Sequence, residues 1–207
     1  MIFQTAVQEQ EKPAYIRFFN AATGISAADI FVNSQLVVEG LAPGVFSPYR
    51  KAKPGAYAIE VRLMQGNSDT AYSELVSLMP DTAYTMVLSG DAAHLTMVII
   101  PLDMRRDVTR PNVRFANLIP YDTVIDIEIN KQTAVWGLMY KEVSDHIEIA
   151  ADNLNFAVKV LDSKDHTLLE DWMEITPGGS YLAIISGSIE NPQNLPQMHV
   201  ADDAPML

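Results

Sequence analysis

The chain has 207 residues, of which 48% are hydrophobic and 19% are charged, a balance typical of a globular rather than a disordered protein. Its 26 acidic and 14 basic residues give a formal net charge of -12, which disfavours nucleic acid and anionic lipid as partners. The chain contains no cysteine, and this excludes disulfides, thiol nucleophiles and cysteine-ligated zinc.

The N-terminal segment, residues 1–13, reads MIFQTAVQEQEKP and is predicted to be a polar leader. It lacks the basic residue and the continuous apolar core of a secretory signal, so we expect either a protein that stays inside the cell or one whose leader has been removed. The longest apolar stretch, LTMVIIPL at 95–102, is far shorter than the roughly 20 residues of a membrane-spanning helix. No membrane span is expected.

An internal repeat organises the rest of the chain. The segment YIRFFNAATGISAADIFVN, which starts at Tyr15, aligns without a gap with NVRFANLIPYDTVIDIEIN, which starts at Asn112, at an offset of 97 residues. The same offset relates later positions, which are Pro80, Tyr84, Ser89 and Gly90 in one copy and Pro177, Tyr181, Ser186 and Gly187 in the other. We predict repeat 1 at 14–101, a linker at 102–111, repeat 2 at 112–200 and a C-terminal tail at 201–207.

Each repeat contains short alternating or apolar runs bounded by turn residues, for example 15–20, 29–33, 56–64 and 84–89 in repeat 1. These runs are rich in β-branched and aromatic residues, and no window sustains a helical period. The predicted fold is all-β, with two tandem immunoglobulin-like antiparallel β-sandwich domains and almost no helix; a small barrel is the structural alternative. Tyr84 and Tyr181, which open apolar runs, are expected to be buried.

The linker concentrates basic side chains in an otherwise acidic chain. Arg105, Arg106 and Arg110 are expected to pair with carboxylates along the contact between the two domains.

The first repeat carries a recognisable series of segments, RFFNAATGISAADIFVN, LAPGVFSPY, KPGAYAIEVR and MPDTAYTMVLSG. This series resembles a bacterial family known as domain of unknown function 4397, whose repeats are similar to R-x-x-H-A-S-P-D-A-P-x-V-D-V-Y-V-N-G followed by L-x-x-G-x-x-S-x-Y and P-x-G-x-Y. The resemblance extends from residue 14 to about 190, and Asn20 and Asn117 stand where the family usually has histidine. It implies an extracellular, envelope or spore location and brings no activity with it.

The second repeat departs further from this pattern. Three loop residues of repeat 1, Gly44, Pro48 and Tyr49, are replaced by Lys141, Asp145 and His146. Because glycine and proline restrict loop shape, we expect the two loops to differ in geometry. Any ligand is therefore expected on repeat 1, near Phe46, Tyr49 and Tyr57, or at the contact between the domains, where the aromatic rings would stack on a sugar or a peptide.

The sequence lacks the usual signatures of hydrolases, nucleotide-binding enzymes and metalloproteases, so no catalytic residue, metal or cofactor is predicted. The four histidines are far apart in the sequence, at His94, His146, His166 and His199. The segment LDSKDHTLL, with Asp162, Asp165 and His166, is interpreted as a hairpin turn rather than a calcium loop.

One polar set occurs in both repeats, and it comprises Arg17, Asn20, Asp29 and Asn33 with Arg114, Asn117, Asp126 and Asn130. Asparagine and aspartate at strand ends bond the local backbone and set turns, while an arginine in a strand commonly pairs with a carboxylate. We therefore interpret the set as structural; the alternative is a polar groove on each repeat.

From these features we expect a non-catalytic binding or structural module, associated with the cell envelope or the spore, that presents loops to a protein or a glycan. A carbohydrate-active hydrolase built on a β-sandwich is the first alternative, and it would need two carboxylates in a deep cleft. The second alternative is an intracellular regulator that binds a partner protein, because the sequence shows no signal segment and is equally compatible with a cytoplasmic location.

Overall fold

The computed structural model describes residues 12–64, 70–104, 110–120, 123–161 and 167–205. Its strands in repeat 1 are β1 (Ala14–Asn20), β2 (Ala28–Val32), β3 (Gln35–Leu41), β4 (Arg50–Ala52), β5 (Gly55–Leu63), β6 (Thr70–Leu78), β7 (Thr82–Ser89) and β8 (Thr96–Asp103). Those in repeat 2 are β9 (Asn112–Asn117), β10 (Ile125–Ile129), β11 (Gln132–Leu138), β12 (Ile147–Glu148), β13 (Asn153–Val160), β14 (Thr167–Glu174), β15 (Ser180–Ser186) and β16 (Gln197–Asp202). The fold is all-β, and the described residues contain no helix.

The strands form four sheets of four, which make two sandwich-like halves. The sheets of repeat 1 have the orders β3-β2-β5-β6 and β4-β1-β7-β8, and those of repeat 2 have the corresponding orders β11-β10-β13-β14 and β12-β9-β15-β16. We predicted antiparallel sandwiches, and most strand pairs are antiparallel. However, β1 pairs with β7, and β9 with β15, in parallel. These strands are joined through the opposite sheet rather than by a hairpin, so the connection does not impose an antiparallel direction.

The structure has three apolar cores, one within each repeat and one between the two repeats. The first core lies within repeat 1 and includes Phe18, and the second lies within repeat 2 and includes Phe156. The third core joins side chains of both repeats, which are Phe19, Ala21, Val87 and Ile100 from the first and Ala116, Leu118, Leu182 and Ile184 from the second. The inner sheets are therefore apolar on both faces and pack against each other.

Local turn geometry is the same in the two repeats. The β2–β3 hairpin turns at Asn33 and Ser34, with φ of 48° and 64°, and the β10–β11 hairpin turns at Asn130 and Lys131, with φ of 50° and 66°. Two successive positive φ angles are typical of a type I′ turn, which matches the twist of the flanking strands.

The conserved geometry extends to a loop that was expected to differ. Lys141 adopts a φ of 69° where Gly44 has 75°. The Lys141 amide donates to Asn117 O at 2.7 Å, as the Gly44 amide donates to Asn20 O at 2.8 Å. The expectation that losing glycine changes this turn is wrong, because the surrounding hydrogen bonds hold the lysine in the left-handed region at a cost in backbone strain.

Tyr84 and Tyr181 are buried, as predicted, with 6% and 8% of their surface exposed. The Tyr84 hydroxyl accepts a hydrogen bond from the Met79 amide at 2.9 Å, and the Tyr181 hydroxyl accepts one from the Thr176 amide at 3.0 Å. Each tyrosine thus connects its own strand to the turn before it.

The inner sheets extend beyond the predicted ends of the repeats. β8 continues to Asp103, which pairs with Thr82, and β16 continues to Asp202, which pairs with Tyr181. The predicted linker and tail therefore begin inside strands, because backbone pairing with β7 and β15 continues past the apolar runs that marked the ends in the sequence.

The expected contacts of the linker arginines are only partly visible. Arg105 and Arg106 lie outside the described residues. Arg110 pairs with a carboxylate, as expected, and this carboxylate is the exposed Glu148 of repeat 2, at 3.2 Å. Pairing of β12 with β9 places Glu148 opposite Asn112, next to this arginine. The loop with Asp162, Asp165 and His166 also lies outside the described residues.

Candidate binding site

A cleft of about 500 Å³ lies where the two repeats meet. Repeat 1 supplies β1, β4 and the loop before β4, and repeat 2 supplies the end of β16 and the residues that follow it. The walls consist of Tyr15, Arg17, Ser47, Pro48, Tyr49, Lys51, Ala201, Asp202, Ala204 and Pro205. Its volume falls within the range of small-molecule sites, which is roughly 300–1,000 Å³.

The loop before β4 is fixed to β1 by Ser47. The Ser47 hydroxyl accepts a hydrogen bond from the Phe18 amide at 2.9 Å, and the Ser47 amide donates to Phe18 O at 2.8 Å. This attachment places Phe46 against Phe19, with ring centroids 4.3 Å apart, and directs Tyr49 toward the second repeat. Two of the three aromatic residues predicted from the sequence, Phe46 and Tyr49, thus meet at the contact between the repeats.

Tyr57 does not join them. It lies on β5 in the outer sheet, packs against the core of repeat 1, and donates its hydroxyl hydrogen bond to Lys53 O at 2.9 Å. The sequence placed Tyr57 near the other two rings only because all three follow one another along the chain.

Arg17 contacts both aromatic rings and lies in the wall of the cleft. Only 4% of its surface is exposed, and its guanidinium carbon lies 4.6 Å from the Phe46 ring centroid and 4.5 Å from that of Tyr49. Its Nε donates to Thr85 Oγ1 at 2.8 Å, while its Nη2 is buried and has no hydrogen-bond partner among the residues that the structure describes. Burial lowers the pKa of Arg17, and the nearby Tyr49 and Asp203 oppose that effect.

The equivalent arginine of repeat 2 is fully paired. Arg114 donates from Nε and Nη2 to the two carboxylate oxygens of Asp203, each at 2.7 Å, and from Nη1 to Pro101 O at 2.9 Å. The Asp203 carbonyl also accepts a hydrogen bond from the Tyr49 hydroxyl at 2.8 Å. This network crosses between the repeats.

The Asn and Asp residues of the repeated polar set bond the backbone at matching positions. Asn20 Nδ2 donates to Leu41 O at 2.9 Å, and Asn117 Nδ2 donates to Leu138 O at 2.9 Å. Asp29 accepts from the Gly40 amide and Asp126 from the Gly137 amide, both at 2.7 Å; Asn33 accepts from the Ala58 amide at 2.9 Å, and Asn130 from the Asn155 amide at 3.0 Å. These six side chains hold loops and turns by bonding the backbone.

A second cleft, of about 370 Å³, lies farther along the same contact, and its walls include Asn20, Gly44, Gly187 and His199. His199, on β16, lies with its ring centroid 5.2 Å from that of Phe19. Burial lowers the pKa of His199, because the apolar surroundings disfavour the charged ring.

Sequence reasoning missed Thr85, His199 and Asp203 as members of this contact. The strongest signal available was the apolar character of both faces of β7 and β15, which indicates a strand buried on two sides. No sequence pattern distinguishes Asp203 from the other acidic residues near the C-terminus.

The described part of the chain contains no cluster of three or more His, Asp or Glu side chains arranged to hold a metal ion. The same residues include no helix of the length and apolar character needed to cross a bilayer.

Comparison with protein families gives one match. Residues 14–110 match the model of a family described as domain of unknown function, DUF4397. The first repeat belongs to this family. The DUF4397 match covers all of β1 to β8 and therefore contains Arg17, Phe46 and Tyr49, while the sheets of the second repeat have the same strand order outside the matched range. No curated protein matches the chain.

Proposed function

We propose that this chain is a non-catalytic binding module of the bacterial cell envelope or spore, in which the two repeats form one rigid unit and bind a protein or a glycan in the cleft between them. The observation that carries the proposal is Arg17 in the wall of that cleft, a buried guanidinium whose Nη2 has no hydrogen-bond partner in the described part of the chain. Buried polar groups are hydrogen-bonded in the great majority of cases, so an exception at a cleft points to a ligand.

The rigidity of the unit is supported by both apolar and polar contacts. The third core buries side chains of the two inner sheets against each other. Polar contacts between repeats lie around it, including Tyr49 with Asp203 at 2.8 Å and Ser89 with Tyr140 at 3.0 Å. A large apolar interface disfavours independent domain motion, so a ligand in the cleft would contact both repeats in a fixed arrangement.

The envelope or spore location is proposed from the resemblance to the family alone. The first rival function, a carbohydrate-active hydrolase, requires two facing carboxylates about 5–10 Å apart. Asp202 is the one acidic side chain among the described walls of the larger cleft, which favours binding over hydrolysis there. The second rival, an intracellular regulator, would use the same cleft for a protein partner.

Glycan and peptide arrays test the proposal directly. We expect the full chain to bind a subset of array elements and the Tyr15→Ala/Lys51→Ala double variant to lose that binding, because both side chains lie in the cleft wall. Lys53→Ala is the matched control, since Lys53 is an exposed lysine two residues from Lys51 and outside the wall.

Three results would contradict this. Binding that survives the double variant would exclude the cleft as the site, and the absence of binding to every array element would remove support for a binding module. Release of cleaved products from bound glycans would establish the hydrolase instead.

A further inference from the structure

Arg17 and Arg114 occupy equivalent positions but have different surroundings. Strand pairing aligns Arg17 with Thr85 on β7, and Arg114 with Leu182 on β15. Both arginines lie on the face of their sheet that meets the other repeat. Arg114 donates to two carboxylate oxygens and one carbonyl, whereas Arg17 donates one hydrogen bond, from Nε to the Thr85 hydroxyl.

The register of the edge strands shows why the two differ. Tyr84 pairs with Pro101, and its counterpart Tyr181 pairs with Asp202, so the next residue of each strand, Leu102 or Asp203, occupies the equivalent position. Repeat 2 therefore has a carboxylate where repeat 1 has a leucine. Arg17 lacks the internal partner that neutralises Arg114.

The terminal edge of the Arg17 guanidinium is held in place for a ligand. Phe46 and Tyr49 contact its faces, and Thr85 anchors its Nε, so the side chain has little freedom left to lose on binding. Among the described residues, neither Nη atom donates a hydrogen bond, and Nη2 is buried. A guanidinium fixed in this way presents two parallel N–H donors, the geometry that a carboxylate accepts.

We propose that the larger cleft binds a carboxylate group of its protein or glycan ligand through the Nη1 and Nη2 atoms of Arg17. This inference rests on the proposed binding function and specifies its chemistry. The Arg114–Asp203 pair shows a related arrangement inside the molecule, in which a carboxylate accepts two bonds of 2.7 Å from the Nε and Nη2 edge of the guanidinium. Lys51, in the same wall, adds a second positive charge near the site.

Charge distinguishes a carboxylate from a phosphate. Asp202 also lines the cleft, and the whole chain has a formal net charge of -12. These negative charges repel a dianion more strongly than a monoanion.

Matched pairs of acid and neutral compound test this inference on the intact chain. D-glucuronate is compared with D-glucose, and N-acetylglutamate with N-acetylglutamine, by calorimetry and by the NMR signal of the Arg17 Nε–H group. We expect an acid to bind about tenfold or more tightly than its neutral counterpart, since hydrogen bonds between charged groups are the strong ones. The pair that responds identifies whether the acid is a sugar acid or an amino-acid derivative.

Variants separate the effect of the two Nη donors of Arg17 from the effect of its positive charge. Arg17→Lys keeps a positive charge but loses the paired donors, so we expect it to lose most of the discrimination between acid and neutral compound, while Lys53→Ala keeps it. Because Arg17→Lys could unfold, the shift of the Arg17 Nε–H signal in the wild-type chain is the independent readout.

Each remaining outcome contradicts the inference. Equal binding of acids and neutral compounds, or no binding of either acid, overturns it, and inorganic phosphate binding as tightly as the acids overturns the preference for a carboxylate. If the arrays show binding that Lys51→Ala/Tyr15→Ala abolishes while these acids fail, the carboxylate is wrong and the binding module stands.

Discussion

The imidazole ring of His199 in the second repeat lies directly over Gly44 in the first. A Cβ added at position 44 would come within 2.8 Å of His199 Cε1, which is closer than real side chains approach. Gly44 also has a φ of 75°, a conformation that favours glycine. The loop that supplies Phe46 and Tyr49 to the cleft therefore approaches the second repeat at a position where an added side chain would displace the His199 ring.

We expect Gly44→Ala to lower the free energy of unfolding by the strain of the left-handed backbone plus the cost of displacing the His199 ring. Gly24→Ala is the matched control, because Gly24 has a φ of 70° and no atom within 4 Å of an added Cβ. The difference between the two variants in urea denaturation is expected to be about 1–3 kcal/mol, the usual cost of overpacking. Equal costs for the two variants would show that the His199 contact contributes nothing.

The buried pair of Arg114 and Asp203 leads to a second prediction. Asp203→Asn keeps the shape of the side chain but leaves the Arg114 guanidinium buried without its counter-charge, so we expect a loss of about 3–5 kcal/mol in the free energy of unfolding. Glu148→Gln, which breaks the exposed pair with Arg110, is the control and is expected to cost about 0–1 kcal/mol. Denaturation midpoints that fall equally in the two variants would contradict the assigned difference in burial.

The two buried tyrosines lead to a third prediction. Tyr181→Phe removes the acceptor for the Thr176 amide, and Tyr84→Phe removes the acceptor for the Met79 amide. Each is expected to lower the free energy of unfolding by about 1–2 kcal/mol, because a part-buried backbone donor loses its partner. Tyr57→Phe, whose hydroxyl bond lies at the surface, is the control and should cost less than about 0.5 kcal/mol. If only one of the two variants lowers the free energy of unfolding, the two hydrogen bonds do not contribute equally to stability.

The fourth prediction concerns pH and follows from the lowered pKa of His199. In the unfolded chain this histidine gains a proton as the pH falls through about 6.5, whereas the folded state resists protonation until a lower pH. The unfolded state then binds more protons, so the free energy of unfolding decreases as the pH falls below about 6.5. Stability measured from pH 8 to pH 5 is expected to show this decrease in the wild type and a shallower one in His199→Gln.

If His199→Gln follows the wild-type curve over the whole range, the buried histidine is not the titrating group.

Much of each repeat could be predicted from the sequence because it depends on local chemistry. Alternating burial along β2 and β10, the turns at Asn33 and Asn130, and the buried Tyr84 and Tyr181 all follow from side-chain periodicity and short-range hydrogen bonds. The constant offset of 97 residues carried these features from one repeat to the other. Each is a property of a few neighbouring residues, so a single sequence contains the information.

Only the tertiary structure decided how the repeats meet. The parallel pairing of β1 with β7 depends on the path of the chain through the opposite sheet. The pair of Arg114 and Asp203 spans 89 residues, and Asp203 appeared in the sequence as part of a tail. The burial of Arg17 beside Phe46 and Tyr49 and the position of the His199 ring over Gly44 both depend on how two apolar sheet faces dock. That orientation is set by the combined packing of many side chains rather than by any local pattern.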